Sequence, residues 1–414
     1  MRLRFLQSFD NIQIFYLLAF LQGLLFSQGI WQLYYLRFTD YSGIGLLEAV
    51  LLFTALITEI PTGALGDVIG RRRMMIVSTL LVFASSIFLT FAPSIFYLLV
   101  SMVFYGLGLT FASGSREAFI YDFLKMRHAE EKYDAVLAKA NTLSLIAVAV
   151  GTLLGGFFYH LWFRLPFLAE ASVAFLTVFI ALAFIEPKRA HMQFAFVHYA
   201  KQNLQGFVQL LSNFQVARLT IYIVITTAIF YVFQVLLNQA QAMQYGFNEV
   251  FMGILASTIS VLAAFFSYLT LWFKRFGYVR VIVVLPLIIS LLLIVSPYIG
   301  IAFGGVFIIL RTTLRAPFDN IASVLVNSEL DSQHRATALS TLYWLIEAPY
   351  IVIFLVAGKA IANTSSHVVA LFIGILLFVT IIVFSLSLLI RKFESKRNAT
   401  LTDSAFPSKP ISLV

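Results

Sequence analysis

Apolar runs of about 18 residues or more recur along the whole chain, and each can cross the ~30 Å hydrocarbon core of a bilayer as a helix. Hydrocarbon offers the backbone no hydrogen-bond partner, so a spanning chain is either helical or a closed barrel. Barrel strands alternate polar and apolar residues. Residues 281–295 do not alternate, so helices are expected. Charged residues make up only 11% of the 414 residues and hydrophobic ones 61%. A soluble domain carries about a quarter charged, so this chain cannot clothe a water-facing surface. The expected class is an all-α integral membrane protein.

Twelve spans are predicted: 12–36, 43–65, 74–91, 94–115, 140–161, 166–185, 219–238, 250–273, 279–296, 299–322, 337–356 and 368–390. Basic residues then fall on one side. They are Arg2, Arg4, Arg71, Arg72 and Arg73, those within 125–139, 188–201 and 274–280, Arg335, and those within 391–397. The other side has Arg37, Arg164 and Lys359 against Asp40 and Glu249. This is the bias of a protein with both ends cytoplasmic, and it accounts for the net charge of +9 without a nucleic-acid partner. The first span lacks a small-residue cleavage site and reads as retained.

The chain divides into a first six-span half (1–186), a connection (187–218), a second half (219–391) and a polar tail (392–414) that is expected to be disordered. In the connection, Phe194, Val197, Leu204, Phe207 and Leu211 recur at roughly helical spacing among Lys188, Arg189, Lys201 and Arg218, with no acid. Either an amphipathic helix on the anionic inner leaflet or a flexible linker fits.

The most informative stretch follows the second span: Gly63, Ala64, Leu65, Gly66, Asp67, Val68, Ile69, Gly70, Arg71, Arg72, Arg73. Its glycines permit sharp turns and close approach, its arginines suit the negative inner surface, and Asp67 is an acid among bases. With twelve spans around it, the stretch resembles the loop signature of the major facilitator superfamily, matching at Gly63, Leu65, Asp67, Gly70, Arg71 and Arg72. Val68 replaces that family's basic residue. Glu59 to Gly63, Ser113 to Ala118 with Tyr121 and Asp122, and Arg335 to Thr337 are similar too, most closely to its drug-exporter-like branch. The resemblance covers nearly all of 12–390. It implies two pseudo-symmetric six-helix halves around a central cavity, alternating access, and a gate contact between Asp67 and the start of span 11.

An internal repeat agrees. Gly277, in the loop between spans 8 and 9, lies 207 residues after Gly70. Lys274 then takes the place of Asp67, so the gate is expected to be asymmetric. The family's arginine in span 4 is here Met102, which weakens a direct carry-over of its proton mechanism. Span 5 carries Ala147, Gly151, Thr152, Gly155 and Gly156, similar to the antiporter signature with Thr152 for proline. Ordinary packing of small residues reads the same way.

Charges within spans cost roughly 2.5–3.5 kcal/mol each and so require a partner or a function. In span 10, Arg311, Arg315 and Asp319 share one helix face. Arg311 lies ~18 Å in from the outer end and Glu347 of span 11 ~15 Å from the inner end, so these two are expected to pair, as a structural bridge or with Arg311 on substrate. Arg315 and Asp319 are expected to pair within their helix or reach the interface. Glu48 is either a solvated vestibule acid or a proton-sensitive site. Gln22, Gln28 and Gln32, with Trp31, supply the polar groups of span 1, and glutamines there either hydrogen-bond a ligand or hold helices together. Phe104, Tyr105, Tyr222, Tyr231 and Gln234 lie in spans that the resemblance places around the cavity, where aromatic rings would suit amphipathic or cationic compounds.

No enzyme is expected. There is no phosphate-binding loop, no cysteine, and no histidine at metal-ligand spacing, so no catalytic residue, metal or cofactor is assigned. The reading is a monomeric secondary transporter of the cytoplasmic membrane, exporting small amphipathic drugs or metabolites against protons. Its alternatives are a gradient-driven importer of a small nutrient, neutral or anionic, and a non-transporting sensor or scaffold. The partners are then a small-molecule substrate, protons and the lipid bilayer.

Overall fold

The computed structural model describes residues 10–186, 214–329 and 335–405. The connection expected to hold an amphipathic helix or linker falls largely on 187–213, outside the described residues. Within them there is no strand. Eleven helices are long and apolar enough to cross a membrane, and a shorter one, Asn11–Gly23, opens the first span. The chain is therefore an all-helical twelve-span protein. Asp10 caps that first helix, its carboxylate accepting from the backbone of Ile12 and Gln13.

Spans 2 to 6 are built on Tyr41–Ile69, Arg71–Thr90, Ile95–Ala112 with Ser115–Met126, Tyr133–Leu161 and Leu165–Ala183. Span 7 joins Phe214–Val232 to Asn238–Gln244 through a π-helical turn, Phe233–Leu237. Spans 8 to 12 are Glu249–Tyr268, Tyr278–Val295, Ile301–Thr313 with Arg315–Glu329, Arg335–Asn363 and Ser366–Ala405. The tail expected to be disordered is thus helical to Ala405. Residues 391–405 contain neither proline nor glycine, and the first proline after them is Pro407.

A second correction concerns span 1. Its helix stops at Gly23 and resumes only at Trp31, leaving 24–30 outside regular helix. Irregular backbone at membrane depth survives only where protein or a cavity satisfies it, and here Glu170 of span 6 and Gln239 of span 7 do so, with span 5 packed alongside.

The loop register expected from sequence is present in the backbone. Gly70 (φ 93°, ψ 144°) and Gly277 (φ 85°, ψ 132°) adopt nearly the same left-handed conformation, each directly before a helix. Only glycine takes that conformation without strain.

Call the end of the bundle that holds Asn11 the terminal face and the other the distal face. At the distal face the two halves cross through glycines. A Cβ on Gly358 of span 11 would lie 2.5 Å from the Tyr41 carbonyl of span 2, and one on Gly156 of span 5 would lie 2.6 Å from the Glu249 carbonyl of span 8. Backbone thus packs on backbone, and the halves close against each other there. His160 Nδ1 and Glu249 Oε1, 2.7 Å apart, add a contact between spans 5 and 8.

Candidate functional site

Beneath those crossings lies a cavity of about 870 Å³ between the halves, extending toward the terminal face as far as Arg116 and Asp319. Of the residues expected to meet there, Gln22, Gln28, Trp31, Glu48, Tyr105, Gln234 and Arg315 line it. Tyr231, Arg311 and Glu347 do not. Tyr231 stacks on Tyr350, with ring centroids 4.3 Å apart. Tyr222 is committed elsewhere, stacking on Phe384 and donating to the Ile282 carbonyl at 2.6 Å. Phe104 stacks on Phe88. Met102, the residue in place of the family's arginine, is part of the cavity wall.

The pair expected between Arg311 and Glu347 is not formed. Arg311 is fully buried within the second half. Its Nε and Nη2 donate to Asn238 Oδ1 at 2.9 and 2.7 Å, and its Nη1 donates to Gln241 Oε1 at 2.5 Å. Asn238 and Gln241 stand three residues apart, hence on one helix face, directly after the π-turn. Asn238 Nδ2 in turn donates to Thr312 Oγ1, and Gln241 Nε2 donates to Ser296 Oγ. Span 10 consists of two helices that meet at Leu314. Arg315 lines the cavity while Arg311 stays within the half. Arg315 Nε bonds Asp319 Oδ2 at 2.9 Å, the internal pairing expected of it, and its Nη1 donates to Gln234 Oε1.

Across the cavity the first half presents carboxylates and rings. Glu48 lines the wall, and among the described residues no basic side chain and no hydrogen-bond donor reaches it. Around it are Trp31 and Tyr35, with ring centroids 5.1 Å apart and edge to face, and Tyr105. A second acid, Glu170 of span 6, was not singled out from the sequence. Its Oε1 accepts from the Ser27 backbone N–H at 2.7 Å and its Oε2 accepts from the Ser27 hydroxyl at 2.9 Å. It thereby satisfies the broken part of span 1 from within the cavity wall. A lone acid five residues into an apolar span was the available signal. Arg116, nearer the terminal face, donates to Gln22 Oε1 at 3.3 Å.

The small residues of span 5 also acquire a place. A Cβ on Gly151 would lie 2.8 Å from the Leu25 nitrogen, and one on Gly155 would overlap the Phe26 carbonyl. These glycines admit the broken segment of span 1, and Gly156 admits span 8. The packing reading of that motif is sufficient.

In the loop after span 2, Arg71 Nη1 bonds Asp122 Oδ2 at 3.1 Å. Arg72 donates from its backbone nitrogen to Glu186 Oε2 at 3.0 Å and from Nη2 to the Leu182 carbonyl at 2.7 Å. Leu65 and Val68 are exposed, and Gly63 has open space around it. The Asp67 side chain, the Lys274 side chain and those at the start of span 11 lie outside what is described, and so does the expected gate contact.

Known proteins give the same frame. The family model described as Major Facilitator Superfamily matches residues 12–346. No curated protein sequence matches the chain. Among solved structures, the nucleoside transporter NupG is similar with a TM-score of 0.77 and 15% identity, over 91% of this chain and 98% of that one. A POT family transporter in complex with 5-aminolevulinic acid gives 0.70 and 12%, over 91% and 95%. A D-xylose-proton symporter gives 0.65 and 13%, over 89% and 96%. At these identities the likeness is one of fold.

Proposed function

The chain belongs to the major facilitator superfamily, and we propose that it is a secondary transporter that exchanges protons for a small organic cation by alternating access. The carrying observation is Glu48, a carboxylate on the cavity wall with no described cation or donor beside it. An unpaired carboxylate at that depth is costly unless it holds a proton or meets a positive ligand. Since both occupants need the same oxygens, each displaces the other, and exchange follows. Trp31, Tyr35 and Tyr105 can add cation–π attraction for an organic cation. On the facing wall Arg315 is neutralised by Asp319, so it does little to repel positive charge.

With the basic terminal face taken as cytoplasmic, the closed distal crossings correspond to an inward-facing state, and an inward proton gradient would drive export. The chain would then act as a monomer in the cytoplasmic membrane, both ends inside.

Uptake is the second reading, favoured by the Arg315 and Gln234 side chains on the cavity wall, which suit a polar solute. A nucleoside transporter and a sugar–proton symporter share the fold. Proteoliposomes with an acidic lumen separate the two. Tetraphenylphosphonium added outside should enter while lumenal protons leave, and Glu48→Gln should abolish both movements. With the gradient reversed to an alkaline lumen, accumulation of a nucleoside or xylose together with protons, with tetraphenylphosphonium inert under either gradient, would replace exchange by uptake.

A further inference from the structure

The 207-residue offset that relates Gly70 to Gly277 also relates Gln28 to Val235 and Gln32 to Gln239. It maps the broken segment 24–30 of span 1 onto 231–237 of span 7, which contains the π-turn Phe233–Leu237. Equivalent spans thus lose regular α-helix at equivalent positions.

The two irregular segments satisfy each other. Gln32 Nε2 donates to the carbonyls of Val235 at 2.7 Å and Leu236 at 3.1 Å, while Gln239 Nε2 donates to the carbonyl of Gln28 at 2.8 Å. Under the offset, the Gln32 bond to Val235 and the Gln239 bond to Gln28 are images of each other. The Gln32 backbone N–H also donates to Gln239 Oε1 at 3.2 Å, joining the two glutamines directly. Gln32 is fully buried, and its Oε1 has no partner.

We infer that this reciprocal glutamine clasp is the lock of the distal gate, with Gln32 and Gln239 as positioning residues of the transport cycle. It joins the halves at the closed side of the cavity, so opening that side must break it. The carbonyls of Gln28, Val235 and Leu236 then pass to water in the opened vestibule, and the π-turn can relax toward α-helix. The unpaired Gln32 Oε1 limits how far the closed state is favoured, since a buried acceptor without a donor carries its full desolvation penalty. A carrier that must visit both states needs them close in free energy. The inference rests on the alternating-access part of the proposed function, and not on protons or cations.

Spin labels at Leu161→Cys and Tyr298→Cys, exposed positions at the distal ends of spans 5 and 9, report the separation of the halves by double electron–electron resonance. The protein has no native cysteine, so the labels are site-specific. The wild-type background should give mainly the shorter distance. Gln32→Leu and Gln239→Leu should each add a longer one, raising the open-to-closed ratio roughly 5-fold, the shift expected for a net loss of about one hydrogen bond. The double variant should shift it further than either single one, because the two side chains make separate bonds across the halves. Gln239→Glu, which keeps the acceptor for Gln32, should fall between wild type and Gln239→Leu. Should buried Gln32→Leu fail to fold, Gln239→Leu on the cavity wall carries the test. Unchanged distances in Gln239→Leu would overturn the lock. Shifted distances in a protein that exchanges no organic cation would leave the lock standing and remove the substrate reading instead.

Discussion

Glu170 and Ser27 are joined by two hydrogen bonds, 2.7 Å from the backbone nitrogen and 2.9 Å from the hydroxyl, so a carboxylate of span 6 completes the interrupted backbone of span 1. These bonds hold the break at the cavity wall, beside the rings that face Glu48. The first span therefore has its shape from tertiary partners rather than from its own propensity.

Replacing Glu170 separates geometry from charge. Glu170→Gln keeps an acceptor for the Ser27 N–H and should fold with stability close to wild type. Glu170→Ala leaves that donor unpaired and should lose about 1–3 kcal/mol, read as a lower midpoint in thermal unfolding of the purified protein. Equal midpoints for the two variants would show that the bond does not hold the break.

Glycines should respond according to what a Cβ meets. Gly155→Ala drives a methyl into the Phe26 carbonyl and Gly358→Ala places one 2.5 Å from the Tyr41 carbonyl, whereas Gly63→Ala meets open space. The first should reduce the yield of folded protein, because backbone cannot move aside cheaply. The second should fold while weakening distal closure, visible as a longer component between labels at positions 161 and 298. Gly63→Ala should leave folding and those distances unchanged, and a severe folding defect there would contradict the described packing.

Arg311 should couple to Asn238 and not to Glu347. Asn238→Leu removes two of the guanidinium's bonds and leaves a buried cation under-satisfied, which typically costs ~3–5 kcal/mol. A double-mutant cycle of Arg311→Met with Asn238→Leu should be strongly non-additive in unfolding free energy. The cycle of Arg311→Met with Glu347→Gln should be additive within about 0.5 kcal/mol. The reverse pattern would restore the pair expected from span depth.

The spans and the Gly70–Gly277 register were legible in the sequence because hydrocarbon thickness and left-handed backbone each tolerate few residue types. The break at 24–30 was not, since Leu24, Leu25, Phe26 and Ile30 read like any apolar helix. What interrupts it is the approach of Gly151 and Gly155 together with the pull of Glu170, all distant in sequence. Depth counted along a span suggested a pair between Arg311 and Glu347 but carried no information on azimuth. The amides of Asn238 and Gln241 hold Arg311 within the half instead. Glu48 was singled out because a charge in lipid needs a reason, and Tyr105 and Gln234 because the family resemblance places spans 4 and 7 around the cavity. Glu170 was available by the same reasoning and went unread inside an otherwise apolar span.

Exchange requires that one carboxylate serve proton and cation in turn. Tetraphenylphosphonium binding to the purified protein, followed by titration calorimetry in buffers of different ionisation enthalpy, measures protons released on binding. Competition at Glu48 predicts release by the wild type and weaker binding as pH falls. It also predicts that Glu48→Gln neither releases protons nor shows that pH dependence. Binding without proton release in the wild type, or unchanged release in Glu48→Gln, would contradict it.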